Sequence, residues 1–122
     1  MARSKSLLFG FEEQLIANFS HALSHPARVM ILRKLLGGKV CFYPELIAGI
    51  PLTEGTIQQH FRLLERTGLM VKTMEGAETG YSLDREVYLL SLTAMREQFR
   101  TDRVTHRRML IIEDDIGLDV LK

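Results

Sequence analysis

The sequence predicts a mainly α fold that carries one small β-hairpin, and three observations predict it. Phe11, Leu15, Phe19 and Leu23 recur at strict four-residue steps, the spacing that lines one face of a helix. Residues 52 to 69, LTEGTIQQHFRLLERTGL, set a second helical stripe of Ile57, Phe61 and Leu64 against an outward set of Gln58, Gln59, Arg62 and Arg66. The turn residues EGAETG separate the loosely alternating LMVKTM from YSL, a pattern for two antiparallel strands over 69 to 83.

Taken in order, the first helix spans residues 11 to 23. Ser24, His25 and Pro26 then restart the chain. Ser24 suits an N-cap and Pro26 a first helical turn, so a second helix runs to Leu36 and stops at Gly37 and Gly38. The run KVCFY, residues 39 to 43, favours an extended chain. Pro44 opens a helix of one or two turns, PELIAG, which Gly49 and Pro51 terminate. Thr53 caps the following helix, which reaches Thr67 and closes at Gly68. A short helix, a tight turn and a longer helix with a polar outer face make a helix-turn-helix, and the hairpin behind it is a wing. Asp84 caps a last helix with Tyr88, Leu92, Met95 and Phe99 at three- and four-residue steps. The same spacing extends to Asp102, His106 and Met109, a seam suited to a partner helix.

With 122 residues the chain is read as one domain. Hydrophobic residues at 46% and charged residues at 25% exclude a disordered composition. Cys41 stands alone, so no internal disulfide forms and a reducing compartment is expected. Near the start, Glu12 and Glu13 interrupt the apolar run of MARSKSLLFGFEE well short of a signal sequence. No stretch reaches the length of a membrane span, and a cytoplasmic protein is expected. The net charge of +1 is unevenly spread. EDDIGLDVLK, residues 113 to 122, holds four acids and one lysine, leaving 15 basic and 11 acidic groups in residues 1 to 112. The expected division is therefore a domain over 1–112 and an acidic tail over 113–122. No nucleophile with a base, phosphate loop or metal-ligand set can be assembled from the motifs, so an enzyme is not expected.

ALSHPARVMILRKL, with its Pro-x-Arg step and Ile-Leu helix, is similar to the opening motif of the ArsR/SmtB family of winged helix-turn-helix repressors. PLTEGTIQQHFRLLERTGLM resembles that family's recognition segment at Leu52, Thr53, Thr56, Ile57, His60, Leu64, Glu65, Gly68 and Leu69, and Gly80, Tyr81, Ser82 and Leu83 resemble the close of its wing. The resemblance covers roughly residues 20 to 84. It implies a sequence-specific DNA-binding transcriptional regulator, a repressor that occupies an inverted-repeat operator as a homodimer. The chain departs from the family in three places. Many members sense metals through paired cysteines beside the short helix, where KVCFYPEL offers only Cys41. One thiolate does not hold a metal, and Cys41 reads as a small apolar residue. Asp102 and His106 lie four apart on the last helix but without the family's ligand spacing, and the joint at Ser24 separates His21 from His25. No metal and no cofactor are expected, and whether any effector is sensed is left open. The wing sets Lys72 against Glu75 and Glu78, which repel phosphates.

The residues expected to meet DNA are Thr53, Glu54, Gly55, Thr56, Gln58, Gln59, Arg62 and Lys72. Gln forms two bonds to an adenine edge, Glu54 can accept from a cytosine amino group, and Arg62 suits guanine or phosphate. Thr53 and Thr56 suit phosphate oxygens at the helix start, and Gly55 permits close approach. Thr53 could equally be only a cap, Glu54 only a complement to the helix dipole, and His60 a packing residue beside the stripe. A lone winged domain touches little DNA, whereas a two-fold dimer places two reading helices one turn apart. The expected dimer interface joins Phe9, Phe11, Leu15 and Phe19 to Tyr88, Leu92, Met95 and Phe99, part of which could be monomer core. The alternative function is a winged protein-interaction module that has lost DNA binding, motivated by the acidic wing and tail.

Overall fold

A computed structural model describes residues 8–101. Asp102, His106 and the acidic tail lie outside the described residues.

Five helices and three strands follow one another as α1 (Phe11–Ala22), α2 (Pro26–Leu35), β1 (Cys41–Phe42), α3 (Tyr43–Ile47), α4 (Glu54–Arg66), β2 (Met70–Glu75), β3 (Glu78–Leu83) and α5 (Arg85–Gln98). The architecture is the expected winged helix-turn-helix. Its caps follow local chemistry. The Thr56 amide donates to Thr53 Oγ1 at 3.4 Å to start α4, and the Val87 amide donates to Asp84 Oδ1 at 3.1 Å to start α5.

The start of α2 corrects the expected cap. His25, not Ser24, is the N-cap, and its Nδ1 accepts from the Ala27 amide at 3.0 Å. Ser24 is otherwise engaged: its hydroxyl donates to the His21 carbonyl at 2.7 Å and accepts from Arg28 at 2.8 Å. Pro26 sits in the first turn, where its missing N–H costs nothing.

The wing is part of a three-stranded antiparallel sheet in the order β1-β3-β2, one strand more than a hairpin. KVCFY supplies the third strand, with Cys41 opposite Tyr81 and Phe42 opposite Gly80. Gly76 turns the chain at φ +67 between β2 and β3, a backbone shape that favours glycine. Gly80 is required by space: a Cβ there would collide with Val40 Cγ1.

Phe61, Leu64, Ile31, Leu35, Leu46 and Leu69 form the centre of the core, each almost fully buried. Phe61 stacks edge-on against Tyr43 at 5.2 Å and Tyr81 at 5.0 Å, so one ring from α4 ties α3 to β3. Such edge-to-face pairs contribute about 0.5–1.5 kcal/mol beyond area burial. Helices α1 and α5 pack together at one side through Phe19 and Tyr88, whose rings meet edge-on at 5.9 Å.

That pairing corrects part of the expected dimer face. Phe19 is 3% exposed and belongs to the core of its own chain. Tyr88, Leu92 and Met95 are half-buried against the same core, and Leu15 is half-buried too. The apolar side chains left open on this layer include Phe9, Phe11, Leu89, Leu90 and Phe99. Leu89 and Leu90 fall outside the three- and four-residue stripe, because α5 turns the flank of that stripe inward and buries Ser91 and Ala94 instead.

Candidate nucleic-acid interface

The outer face of α4 is positioned by its inner one. Ile57, His60, Phe61 and Leu64 are buried, which fixes the rotation of the helix and sends the remaining side chains outward. Glu54, Gly55, Gln59 and Arg62 are exposed, and Thr56 and Gln58 are half-buried. Gly55 would meet nothing within 4 Å if it carried a Cβ, so no protein group demands glycine there. Its cost of about 1 kcal/mol in helix propensity relative to Ala is met on an open surface. Arg62 donates through Nε to the Gln58 carbonyl at 3.4 Å, which lays its guanidinium along the helix beside Gln58 and Gln59.

Thr53 has two local tasks. Its Oγ1 accepts from the Thr56 amide and donates to Thr56 Oγ1 at 3.0 Å. Both hydroxyls are thus engaged within the cap, although Thr53 is exposed. Lys72 sits on β2, exposed, with no hydrogen bond or ion pair to α4 among the described residues. Glu75, Glu78 and Met74 are exposed at the tip of the same hairpin.

Behind α4 lies a polar cluster that the sequence pattern did not show. Arg28 is only 7% exposed. Its guanidinium donates to the Ala22 carbonyl at 3.1 Å, the His21 carbonyl at 3.1 Å, Ser24 Oγ at 2.8 Å and His60 Nδ1 at 2.7 Å. Arginine only donates, so His60 Nδ1 is the acceptor and the ring hydrogen sits on Nε2. That nitrogen is buried without a partner among the described residues. His25 lies over His60 with ring centroids 4.3 Å apart. Burial lowers the His60 pKa below the ordinary histidine value, and His25 and Arg28 push it the same way. Burial likewise lowers the pKa of Arg28. The cluster pins the end of α1, the start of α2 and the middle of α4 to one another. Its only legible trace was the Pro-x-Arg step and a histidine beside an apolar stripe.

Cys41 is half-buried on β1, with Sγ near the Lys34 and Lys39 carbonyls. Burial and Glu45 raise its pKa, against the pull of Lys39 and Lys34, so the thiol form is favoured over the metal-binding thiolate. Among the described residues no three His, Cys, Asp or Glu side chains gather as a metal site, and no helix is long and apolar enough to cross a membrane.

No protein-family model matches the chain. Over 71 residues it is 38% identical to the HTH-type transcriptional regulator CmtR of Mycobacterium tuberculosis and Mycobacterium bovis. That match takes in 58% of this chain and 59% of the relatives' own length. A solved structure described as a possible transcriptional regulator for arsenical resistance superposes with a TM-score of 0.60 at 26% identity, covering 80% of this chain and 93% of that one. An ArsR-like transcriptional regulator from Rhodococcus sp. RHA1 gives a TM-score of 0.62 at 23% identity, covering 87% and 95%. Both carry the same mainly helical fold with a small antiparallel sheet.

Proposed function

We propose that the chain is an ArsR-like winged helix-turn-helix protein that regulates transcription by placing α4 in the major groove of DNA, a reading supported by its likeness to the transcriptional regulator CmtR. The observation that carries this reading is the division of α4: Ile57, Phe61 and Leu64 are held in the core, while Glu54, Gly55, Gln59 and Arg62 face solvent with Gln58 beside them. In the proposed complex Gln58 and Gln59 read base edges and Arg62 grips guanine or phosphate. Thr53, Thr56 and the free amides of the helix start meet the backbone, with Lys72 approaching from the wing. Two copies bind an inverted repeat, joined through the open apolar side of α1 and α5, and occupancy of the operator represses transcription in the cytoplasm. Residues 1–112 form the binding and dimerisation domain, and the acidic tail 113–122 repels the DNA backbone.

A mobility-shift measurement on a selected inverted-repeat duplex tests this. Each good bidentate base contact contributes about 1–3 kcal/mol of discrimination, so losing both in Gln58→Ala with Gln59→Ala weakens specific binding by about 30-fold or more while non-specific, salt-dependent binding persists. Equal operator affinity in the variant and the wild type sinks base reading by α4. The second reading, a protein-interaction module without DNA binding, draws on exposed Met74, Glu75 and Glu78 at the wing tip. Operator binding at physiological salt removes it.

A further inference from the structure

An open cleft of about 460 Å³ lies on one flank of α4, between that helix and the α1–α2 joint. Its lining is Arg28, Gln59, His60, Arg62, Leu63 and Arg66. No carboxylate is among them. Two independent features of this cleft call for an anion. The first is the convergence of guanidiniums: among the described residues Arg62 uses only its Nε, and Arg66 has no hydrogen bond or ion pair. The second is Arg28 itself, a cation buried to nine-tenths whose partners are two carbonyls, a hydroxyl and a neutral imidazole. A buried charge is normally paired with an opposite one, and Arg28 meets no carboxylate within the described residues.

We propose that this cleft is a seat for one phosphate-type oxoanion, held by the forks of Arg62 and Arg66 and attracted by the uncompensated charge of Arg28. Planar guanidinium forks match a multiply charged oxoanion better than a single-point acceptor, because each fork engages two oxygens at once. The Gln59 amide adds a neutral donor at the rim, and Leu63 gives the cleft an apolar wall. Two sources supply the same chemistry: a backbone phosphate of bound DNA, or a free phosphorylated small molecule. The seat itself does not depend on base reading by α4, since it is defined on the protein alone.

Titration of the protein with inorganic phosphate tests it, followed through the amide resonances of Gln59, His60 and Leu63 and the Nε–H of Arg28, with chloride at matched ionic strength as the control. Saturable shifts confined to these groups are expected in phosphate and not in chloride. In Arg66→Gln the apparent affinity should fall about tenfold or more, the range of one lost charge-assisted contact. Arg66 is exposed and outside the core, so this variant should keep the wild-type fold. Shifts that do not saturate, that chloride reproduces, or that Arg66→Gln leaves unchanged overturn the seat. Adding a short DNA duplex to the phosphate-loaded protein separates the sources. Displacement of phosphate assigns the seat to a backbone phosphate, and phosphate that stays bound assigns it to a free molecule.

Discussion

Helix α4 buries its entire apolar stripe inside its own chain, whereas the layer made by α1 and α5 spends Phe19 and Tyr88 on each other and leaves Phe9, Phe11, Leu89, Leu90 and Phe99 in water. The first region is finished as a folded unit. Phe61 touches Tyr43 and Tyr81, and the outer side chains of α4 are polar. The second region leaves large apolar side chains exposed, the kind of surface that marks an interaction site when the side chains lie together. Rigidity is thus invested where side chains must be aimed. Apolar area is left over where a second copy is proposed to dock.

The largest effect that bears on this contrast is expected at Phe61. Phe61→Ala should destabilise the chain by about 3–5 kcal/mol, read as a lowered urea midpoint. Phe99, by contrast, is 68% exposed, and its replacement by Ala should change monomer stability by no more than about 0.5 kcal/mol. Comparable losses at the two positions would break the distinction between a closed and an open region. Next in size is association. Leu90→Glu with Phe99→Glu sets charges on the open layer while leaving the core untouched, and sedimentation should show dimers lost with the helical circular dichroism retained. A wild type that sediments as a monomer at micromolar concentration would remove the dimer reading altogether.

The contrast also explains what could be read from the sequence. Periodicity made α4 legible, since Ile57, Phe61 and Leu64 share one face and Thr53 and Gly68 bracket it. The same logic placed α1, α2 and α5, and the turn residues placed β2 and β3. It misjudged Phe19, because a helical stripe shows that a face is apolar and not whether its own chain or another covers it. The exposed Leu89 and Leu90 escaped the pattern for another reason, since they lie off the three- and four-residue stripe. The third strand depended on pairing between Cys41 and Tyr81, forty residues apart, which local pattern does not encode. Arg28 and His60 were opaque in another way. Charged and polar residues are usually exposed, and only the meeting of α1, α2 and α4 puts them inside.

The smallest expected effect tests how tightly that meeting holds α4. Burial, with His25 and Arg28 adding to it, lowers the His60 pKa in the folded chain, while the unfolded chain takes up its proton near the ordinary value of about 6.5. Between those two values the unfolded state binds a proton that the folded state refuses. The contribution is therefore full above about pH 6.5, declines as pH falls below it, and levels off once pH passes the folded value. The structural cause is specific: protonated Nδ1 would turn a donor toward the Arg28 guanidinium that now donates to it at 2.7 Å. His60→Gln retains an acceptor for Arg28 and cannot titrate. Denaturation midpoints at pH 7.5 and pH 5 should thus fall further for the wild type than for the variant, whose remaining loss reports the other titrating groups. Equal losses in the two proteins would mean that His60 accommodates its proton in the folded state.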